Sequence, residues 1–450
     1  MRILLITSYF PPDSGSAANL FYELGSALVK RGHEISVVTS TPSYHAKGSL
    51  ERYQGHLWVS EEVHGMAVTR LAIPNLARNS RIGRGLWQFA SAAAFTAGCL
   101  LQTRADVALV YSPPLPLGLA PLAARLLRHT PFVLNVQDLF PQSAVDLGLL
   151  NNNTLIRLFE RLERFLYRRA AYVTVHSEGN KEHVIRKGAD EARVSVFQNW
   201  IDTDFIRPGP RLNDFSHSHG LDDSFVVLFG GVIGHSQDID VILDAAARLR
   251  DRPEIVFLVV GDGVEKARVE QKARDMALSS VRFLPMLPRD QYTAVIHASD
   301  VCLTTLRANV KTPVVPSKIV TAMAAGRPVI AIMNSHGDAP ALIEQADSGV
   351  SAQAGDADAL AAYVSRLCAD PELGRRMGRN GRQFAERYLS LTVAAHSYEQ
   401  LLAAVAGIGP HEPERALGIK VNTTPIDIST TSCPPAAQEA DVAHVSASCE

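Results

Sequence analysis

The chain has 450 residues, 46% hydrophobic and 20% charged, with a formal net charge of −2. That length exceeds what one hydrophobic core organises and fits two α/β-sized domains of about 200 residues each. The near-neutral charge gives no global field for a polyanion, so no nucleic-acid partner is expected. Five scattered cysteines, without Cys-x-x-Cys spacing, argue against a disulfide framework or a thiolate metal site and fit a reducing compartment. The first residues lack the basic, apolar and small-residue order of a secretory signal, so a cytoplasmic location is expected.

The opening RILLITSYFPP reads as a buried parallel strand ended by prolines. Leu20, Leu24, Ala27 and Leu28 follow at helical spacing, Gly32 stops that helix, and Ile35 to Val38 forms a second strand. Strand, glycine-containing turn, helix and strand make a βαβ unit. The pattern recurs in ADVALVYS, PFVLNVQDLFP and AAYVTVHS, which predicts a Rossmann-like domain over residues 1–205.

Within it, RNSRIGRGLWQFASAAAFTAGCLLQTR reads in one of two ways. One is a buried helix of the first domain. The other is an interfacial helix across residues 78–101, with Trp87 and Phe89 in lipid and Arg78, Arg81 and Arg84 on anionic headgroups at a membrane face. It is too short and too interrupted to span a bilayer.

After a polar stretch the pattern restarts. FVVLFGGVIG runs from strand into glycine turn, DIDVILDAAARLR is a helix, and EIVFLVVGDG repeats strand and turn. VRFLPML, DVCLTTL and RPVIAIM supply further strands, so residues 206–406 form a second Rossmann-like domain. Ligands in such sheets sit beyond the carboxyl ends of the strands, which turns both sets of glycines toward one cleft. Residues 407–450 are rich in Pro, Ser, Thr and Ala without a sustained period and read as a disordered tail.

Gly15, Gly230, Gly231 and Gly234 stand between strands and helices, where backbone amides and helix N-termini receive phosphate. No G-x-G-x-x-G occupies the first βα turn, which argues against a dinucleotide-dependent dehydrogenase. Lys318 falls in the first turn of the helix opened by Pro316 and Ser317. A cation there opposes the helix dipole unless it either extends into solvent or faces a bound anion, and the anion is the favoured reading. The histidines are scattered (His45, His56 and His64; His217 and His219), so no metal site and no cofactor are expected.

Four segments, PPDSGSAANLFYELGSALVKRGHEISVVT, VFQNWIDTDFIRP, LVVGDGVEKARVEQKA and PSKIVTAMAAGRPVIA, resemble the successive signatures of retaining GT-B glycosyltransferase family 4. The similarity covers residues 1 to 400 and is nearest to the bacterial surface-polysaccharide branch, with its fucosamine transferases of O-antigen and capsule assembly and its colanic-acid-type enzymes. The resemblance implies two Rossmann-like domains facing across a cleft, C-terminal helices, a nucleotide-sugar donor (UDP-linked in that branch) and a lipid-linked or saccharide acceptor. It places Gly15 against the donor diphosphate and Asn199 to Asp202 at the interdomain connection. Gly231 and Gly234 lie beneath the nucleotide, Gly261 and Asp262 beside it, and Leu284 to Met286 along the base. Ser317 and Lys318 face the diphosphate, and Gly337 and Asp338 the sugar.

The sequence also departs from the family pattern. Pro313 and Thr321 occupy the positions of a Glu pair, leaving the Thr321 hydroxyl for the ribose; Val232 and Gln237 replace an Arg and a Lys, leaving His235 as a nearby donor. Gln137 stands before Asp138 where relatives carry a histidine. The implied mechanism is transfer with retention, driven by stabilisation of the leaving diphosphate, with Lys318 as chief cation. Asp138 either orients the acceptor hydroxyl or caps a neighbouring turn. A GT-B nucleotide-sugar epimerase and a non-catalytic scaffold remain as alternatives, separable by turnover.

Overall fold

The computed structural model describes residues 1–13, 15–42, 51–73 and 81–408; for 16, 81–90 and 290 it describes the backbone alone. Arg78 and the tail from 409 lie outside those residues, as do the side chains of Arg81, Arg84, Trp87 and Phe89.

The first domain runs β1 (Arg2–Ile6), α1 (Ser16–Lys30), β2 (Glu34–Ser40), β3 (Trp58–Val63), β4 (Met66–Leu71), α2 (Arg81–Leu101), β5 (Val107–Ser112), α3 (Ala120–Arg128), β6 (Phe132–Val136), α4 (Gln142–Asp146), α5 (Asn153–Arg169), β7 (Tyr172–Val175), α6 (Glu178–Arg186) and β8 (Val194–Val196). Its sheet has the order β3-β4-β2-β1-β5-β6-β7-β8, parallel except for β3 on β4. Central strands such as β5 and β6 are buried along their whole length, as expected of a parallel sheet covered by helices on both faces.

The β3–β4 hairpin was not expected from the sequence. His64 and Gly65 take φ of 48° and 79°, the two left-handed residues of a tight hairpin turn, which brings Val63 opposite Met66. Its fully buried Arg70 pairs with Glu61 and donates to the Pro11 carbonyl, so the hairpin braces the loop that leads to Gly15. In the described half of α2, Ala92, Phe95 and Cys99 are buried at helical spacing, which favours the buried reading for that half.

The second domain runs α7 (Asp214–Ser218), β9 (Phe225–Gly230), α8 (Asp240–Arg248), β10 (Ile255–Val260), α9 (Lys266–Asp275), β11 (Val281–Leu284), α10 (Arg289–His297), β12 (Val301–Thr305), α11 (Ser317–Ala324), β13 (Val329–Ile332), α12 (Asp338–Gln345), β14 (Gly349–Ala352), α13 (Ala357–Ala369) and α14 (Pro371–Tyr388). Its all-parallel sheet has the order β11-β10-β9-β12-β13-β14. The order reverses between β9 and β12, and between β1 and β5 in the first domain. Crevices open at such switch points.

The expected second domain, 206–406, does not keep its last helix. α15 (Leu391–Val405) crosses back, and Ala395, Tyr398, Leu401 and Leu402 join the first-domain core with Leu24, Leu28 and Leu109. The physical reason is the aromatic face of Tyr398, which meets Phe197 and Trp200 edge-on at 4.9 and 5.5 Å. The outgoing and returning connections run side by side, Ile201 N donating to Leu389 O at 2.8 Å and Leu391 N to Ile201 O at 2.9 Å. Arg382 ties them to the second domain through the carbonyls of Thr203, Ile206 and Ala324.

Candidate functional site

Three turns interlock at the carboxyl ends of β9, β10 and β11. Gly231 N donates to Val260 O, Ile233 N to Asp262 O and Gly261 N to Leu284 O, at 2.9, 2.8 and 3.1 Å. The approach is so close that a Cβ on Gly261 would lie 1.9 Å from the Gly231 carbonyl oxygen, so only glycine fits there. Gly231 itself sits at φ 131°. The structure therefore brings together Gly231, Gly234, Gly261, Asp262 and Leu284. Asp262 caps its own turn by accepting from Gly263 N at 2.9 Å.

Lys318 reaches this cluster from the start of α11. Its ammonium lies 3.9 Å from the centre of the Phe229 ring, donates to Gln237 Oε1 at 3.1 Å, and would stand 3.6 Å from a Cβ on Gly231. Gln237, expected from the resemblance to stand in the place of a family cation, is thus the hydrogen-bond partner of Lys318. Desolvation pulls the Lys318 ammonium down to about 7. Pro316 precedes α11 without a side-chain cap; the Ile319 amide donates to Pro316 O at 3.0 Å, which leaves the Ser317 and Lys318 amides as the free donors of the first turn. Thr321 is half-buried and donates its hydroxyl to Ser317 O at 2.9 Å, keeping its lone pairs open. His235 is exposed at the rim and faces Glu265 Oε1 at 3.0 Å rather than the turn.

Two further cations stand at the same edge; Lys266 lies within the LVVGDGVEKARVEQKA segment, while Arg307 belongs to none of the four. Lys266 donates to Gly261 O at 2.9 Å, and Arg307, just past β12, donates to Gln237 O at 3.2 Å. Arg307 is legible in retrospect only as a charged residue ending a buried strand at the switch point.

At the far side of the cleft, Asp338 opens α12 behind Gly337 and accepts from the Gly179 amide of the first domain at 3.1 Å. His176, ending β7, is buried near them, and desolvation lowers its pKa against the pull of the Asp338 charge. Its ring contacts Asn180 Nδ2 at 2.9 Å. Asp138 follows β6. It remains solvent-accessible, yet enough protein surrounds it for desolvation to raise its pKa against the Ser143 side chain and the Leu139 amide. Accessible but enclosed is the condition of a group on a cleft floor. Gln137 beside it donates to Asn135 Oδ1 at 2.9 Å, and Asn135 donates to Tyr398 on α15 at 2.7 Å. Gly15 caps α1 at φ 119° and is exposed at the end of β1. Glu23 of α1 and Arg289 of α10 pair across the domains, with the guanidinium 4.6 Å above the Phe205 ring. Among the described residues no group of three His, Cys, Asp or Glu stands together as a metal site.

Two Rossmann-like domains meeting at a cleft lined by glycine turns and helix starts define the GT-B fold. Residues 15–200 match the family described as a glycosyl transferase 4-like domain and residues 213–384 the glycosyl transferases group 1, so the chain is a glycosyltransferase that joins these two domains. Sucrose-phosphate synthase from Thermosynechococcus elongatus shares the fold with a TM-score of 0.70 and 18% identity, over 91% of this chain and 100% of that one. Anabaena HepE in complex with UDP and glucose gives 0.67 and 18% over 90% and 100%. In sequence, the putative colanic acid biosynthesis glycosyl transferase WcaI of Escherichia coli is 25% identical over 72% of this chain and 82% of its own. The probable glycosyltransferase WbjE of Pseudomonas aeruginosa is 28% identical over 66% and 74%.

Proposed function

We propose that the protein transfers a hexosyl or N-acetylhexosaminyl group from a UDP-sugar to a polyprenyl-linked saccharide in surface-polysaccharide assembly, with retention at the anomeric carbon. The observation that carries this reading is Lys318, a cation held over Phe229 beside the Gly231 turn and the uncapped start of α11. Phosphate completes such an arrangement, because it supplies the negative charge that both the ammonium and the free amides lack. The colanic-acid relative supports the polysaccharide setting, and HepE, solved with UDP-glucose, supports the uridine donor.

In this reading the donor diphosphate lies on Gly231, Gly234, Ser317 and Lys318, and Gly15 closes over it from the first domain. Leu284 and the Gly261–Asp262 turn border the base, while Thr321 accepts from the ribose. As the glycosidic bond breaks, negative charge grows on the diphosphate, and the amides and Lys318 stabilise it without reorganising. Gly337 and Asp338 border the sugar. Asp138 on the opposite wall orients the acceptor hydroxyl or takes its proton as it attacks from the leaving-group face. His235 serves only at the rim, since Glu265 already holds it.

The test is transfer from a panel of UDP-, GDP- and dTDP-sugars onto membrane lipid extract, beside a Lys318→Ala control. Product in the lipid phase from a UDP-sugar, lost in the variant, supports the proposal. Conversion of the donor sugar without lipid product points to an epimerase, and donor binding without turnover on any acceptor removes the enzyme reading.

A further inference from the structure

The outer face of α5 combines exposed arginines with exposed apolar side chains. The helix carries Arg157, Arg161, Arg164, Arg168 and Arg169 against two glutamates, and both glutamates are withdrawn from that face. Glu163 is fully buried and accepts from Tyr167, while Glu160 pairs with Lys187 at 2.7 Å. Among the described residues the ion pairs at α5 are those of the glutamates alone, so the five arginines face outward uncompensated.

Leu155, Leu158 and Phe165 stand among them, 37%, 45% and 41% exposed. These are not leftovers of core packing, because α5 already buries Phe159, Leu166 and Tyr167 on its inner side. Leu158, Arg161 and Phe165 follow at i, i+3 and i+7 and so form a second stripe of the same helix. The face also continues past the helix. Arg125 donates to the Arg169 carbonyl, which sets the last turn of α3 beside that of α5 and adds Leu126 and Leu127, 76% and 70% exposed. Arg128 ties the same turn to the Leu100 carbonyl, next to Leu101 at 64%.

We infer that this face docks on an anionic lipid surface, its leucines and Phe165 entering the headgroup–acyl boundary and its arginines meeting headgroup phosphates. Charge selects this occupant over a second copy of the chain, since a two-fold contact would set arginine against arginine. The helix crosses from β6 to the parallel β7, so it runs back from the carboxyl ends of the strands, and Leu155 and Leu158 lie at its cleft end. The inference rests on the proposed lipid-borne acceptor for its purpose and on α5 and α3 for its geometry. It places membrane contact on α5, the last turn of α3 and the end of α2 at Leu101.

The test sediments the full-length protein with vesicles of phosphatidylcholine alone and with vesicles containing about one third phosphatidylglycerol, at low and high salt. Binding to the anionic vesicles alone, released by salt, is expected. Arg157→Glu with Arg161→Glu, and separately Leu158→Ser with Phe165→Ser, should each lower the bound fraction about tenfold. Thermal melting by circular dichroism should stay unchanged in both. Equal binding by parent and variants overturns the inference, as does no binding by the parent. So does a concentration-dependent dimer that the Leu158→Ser, Phe165→Ser pair abolishes. Turnover on detergent-solubilised acceptor should be the same in parent and variants; its absence in all of them, with vesicle binding intact, would sink the proposed function and leave the docking surface standing.

Discussion

The Gly179 amide donates to Asp338 Oδ1 across 3.1 Å, and this bond joins α6 of the first domain to the start of α12 in the second. A Cβ on Gly179 would lie 2.8 Å from both Asp338 Oδ2 and the Pro313 Cβ, so there is no room for a side chain between the domains. Gly179 lies within the first turn of α6, where alanine is by itself the better helix former, by up to about 1 kcal/mol. Gly179→Ala should therefore leave the melting temperature unchanged or raised while holding the cleft open. The expected result is a larger radius of gyration by small-angle scattering and a fall of about tenfold or more in kcat/KM. Unaltered scattering together with parent-like kinetics would show that closure at this point does not matter.

Lys318 supplies a pH signature. Burial holds its ammonium at about 7, well below the usual lysine range. Between that value and the unfolded pKa the unfolded chain binds the extra proton, so this group makes the free protein more stable as pH rises through the window. A bound diphosphate has the opposite preference, because it pairs with the charged form. UDP-glucose affinity should then fall as pH climbs above 7, by at most about tenfold per unit, and Lys318→Ala should flatten the profile as well as weaken binding. Calorimetric titration at several pH values measures both. Parallel profiles for parent and variant would remove Lys318 from the donor site.

Much of this site is local and could be read before the structure. Strand, glycine and helix follow one another within a few residues at Gly231 and Gly261, and Ser317 and Lys318 open a helix by their own chemistry. What sequence could not show was pairing over distance. Gly179 meets Asp338, and Asn135 meets Tyr398, only after both domains have formed. Tyr398, Leu401 and Leu402 have a helical period, but no period says which domain the stripe covers. The β3–β4 hairpin hid behind a His–Gly pair, which is a weaker turn signal than Asn–Gly. His176 and Arg307 carry no motif at all; each acquires its place by ending a strand at the cleft.

The return of α15 makes the first domain depend on the end of the fold. Tyr398→Phe removes the hydroxyl that Asn135 Nδ2 donates to; one N–H of that buried amide keeps Thr174 Oγ1 at 3.1 Å, and the other is left without its acceptor. The loss should be about 1–3 kcal/mol by urea denaturation. Tyr398→Ala also empties the space against Phe197 and Trp200 and should lose about 3–5 kcal/mol. The Phe variant has a second readout. Asn135 Oδ1 holds Gln137, so looser Asn135 should disturb acceptor KM more than donor KM. Equal stability of parent and Ala variant would mean that α15 is not part of the first-domain core.

Asp138 separates chemistry from architecture. Its pKa is raised, chiefly by desolvation, so ionisation is harder in the folded protein than in the unfolded chain. Stability from this group is greatest below the usual carboxylate pKa and is lost as pH rises through the shifted value, leaving a strained anion at neutral pH. Asp138→Asn keeps the shape, discards the charge and can still accept from Leu139. It should be more stable than the parent at pH 7 and equal to it in acid, while transfer falls about 10²- to 10⁴-fold if the carboxylate takes the acceptor proton. A variant that is steadier and inactive would mark a carboxylate held for its reaction. One that is less stable and still active would assign Asp138 to the turn at Ser143, and the acceptor base would then have to be sought elsewhere, first at the buried His176.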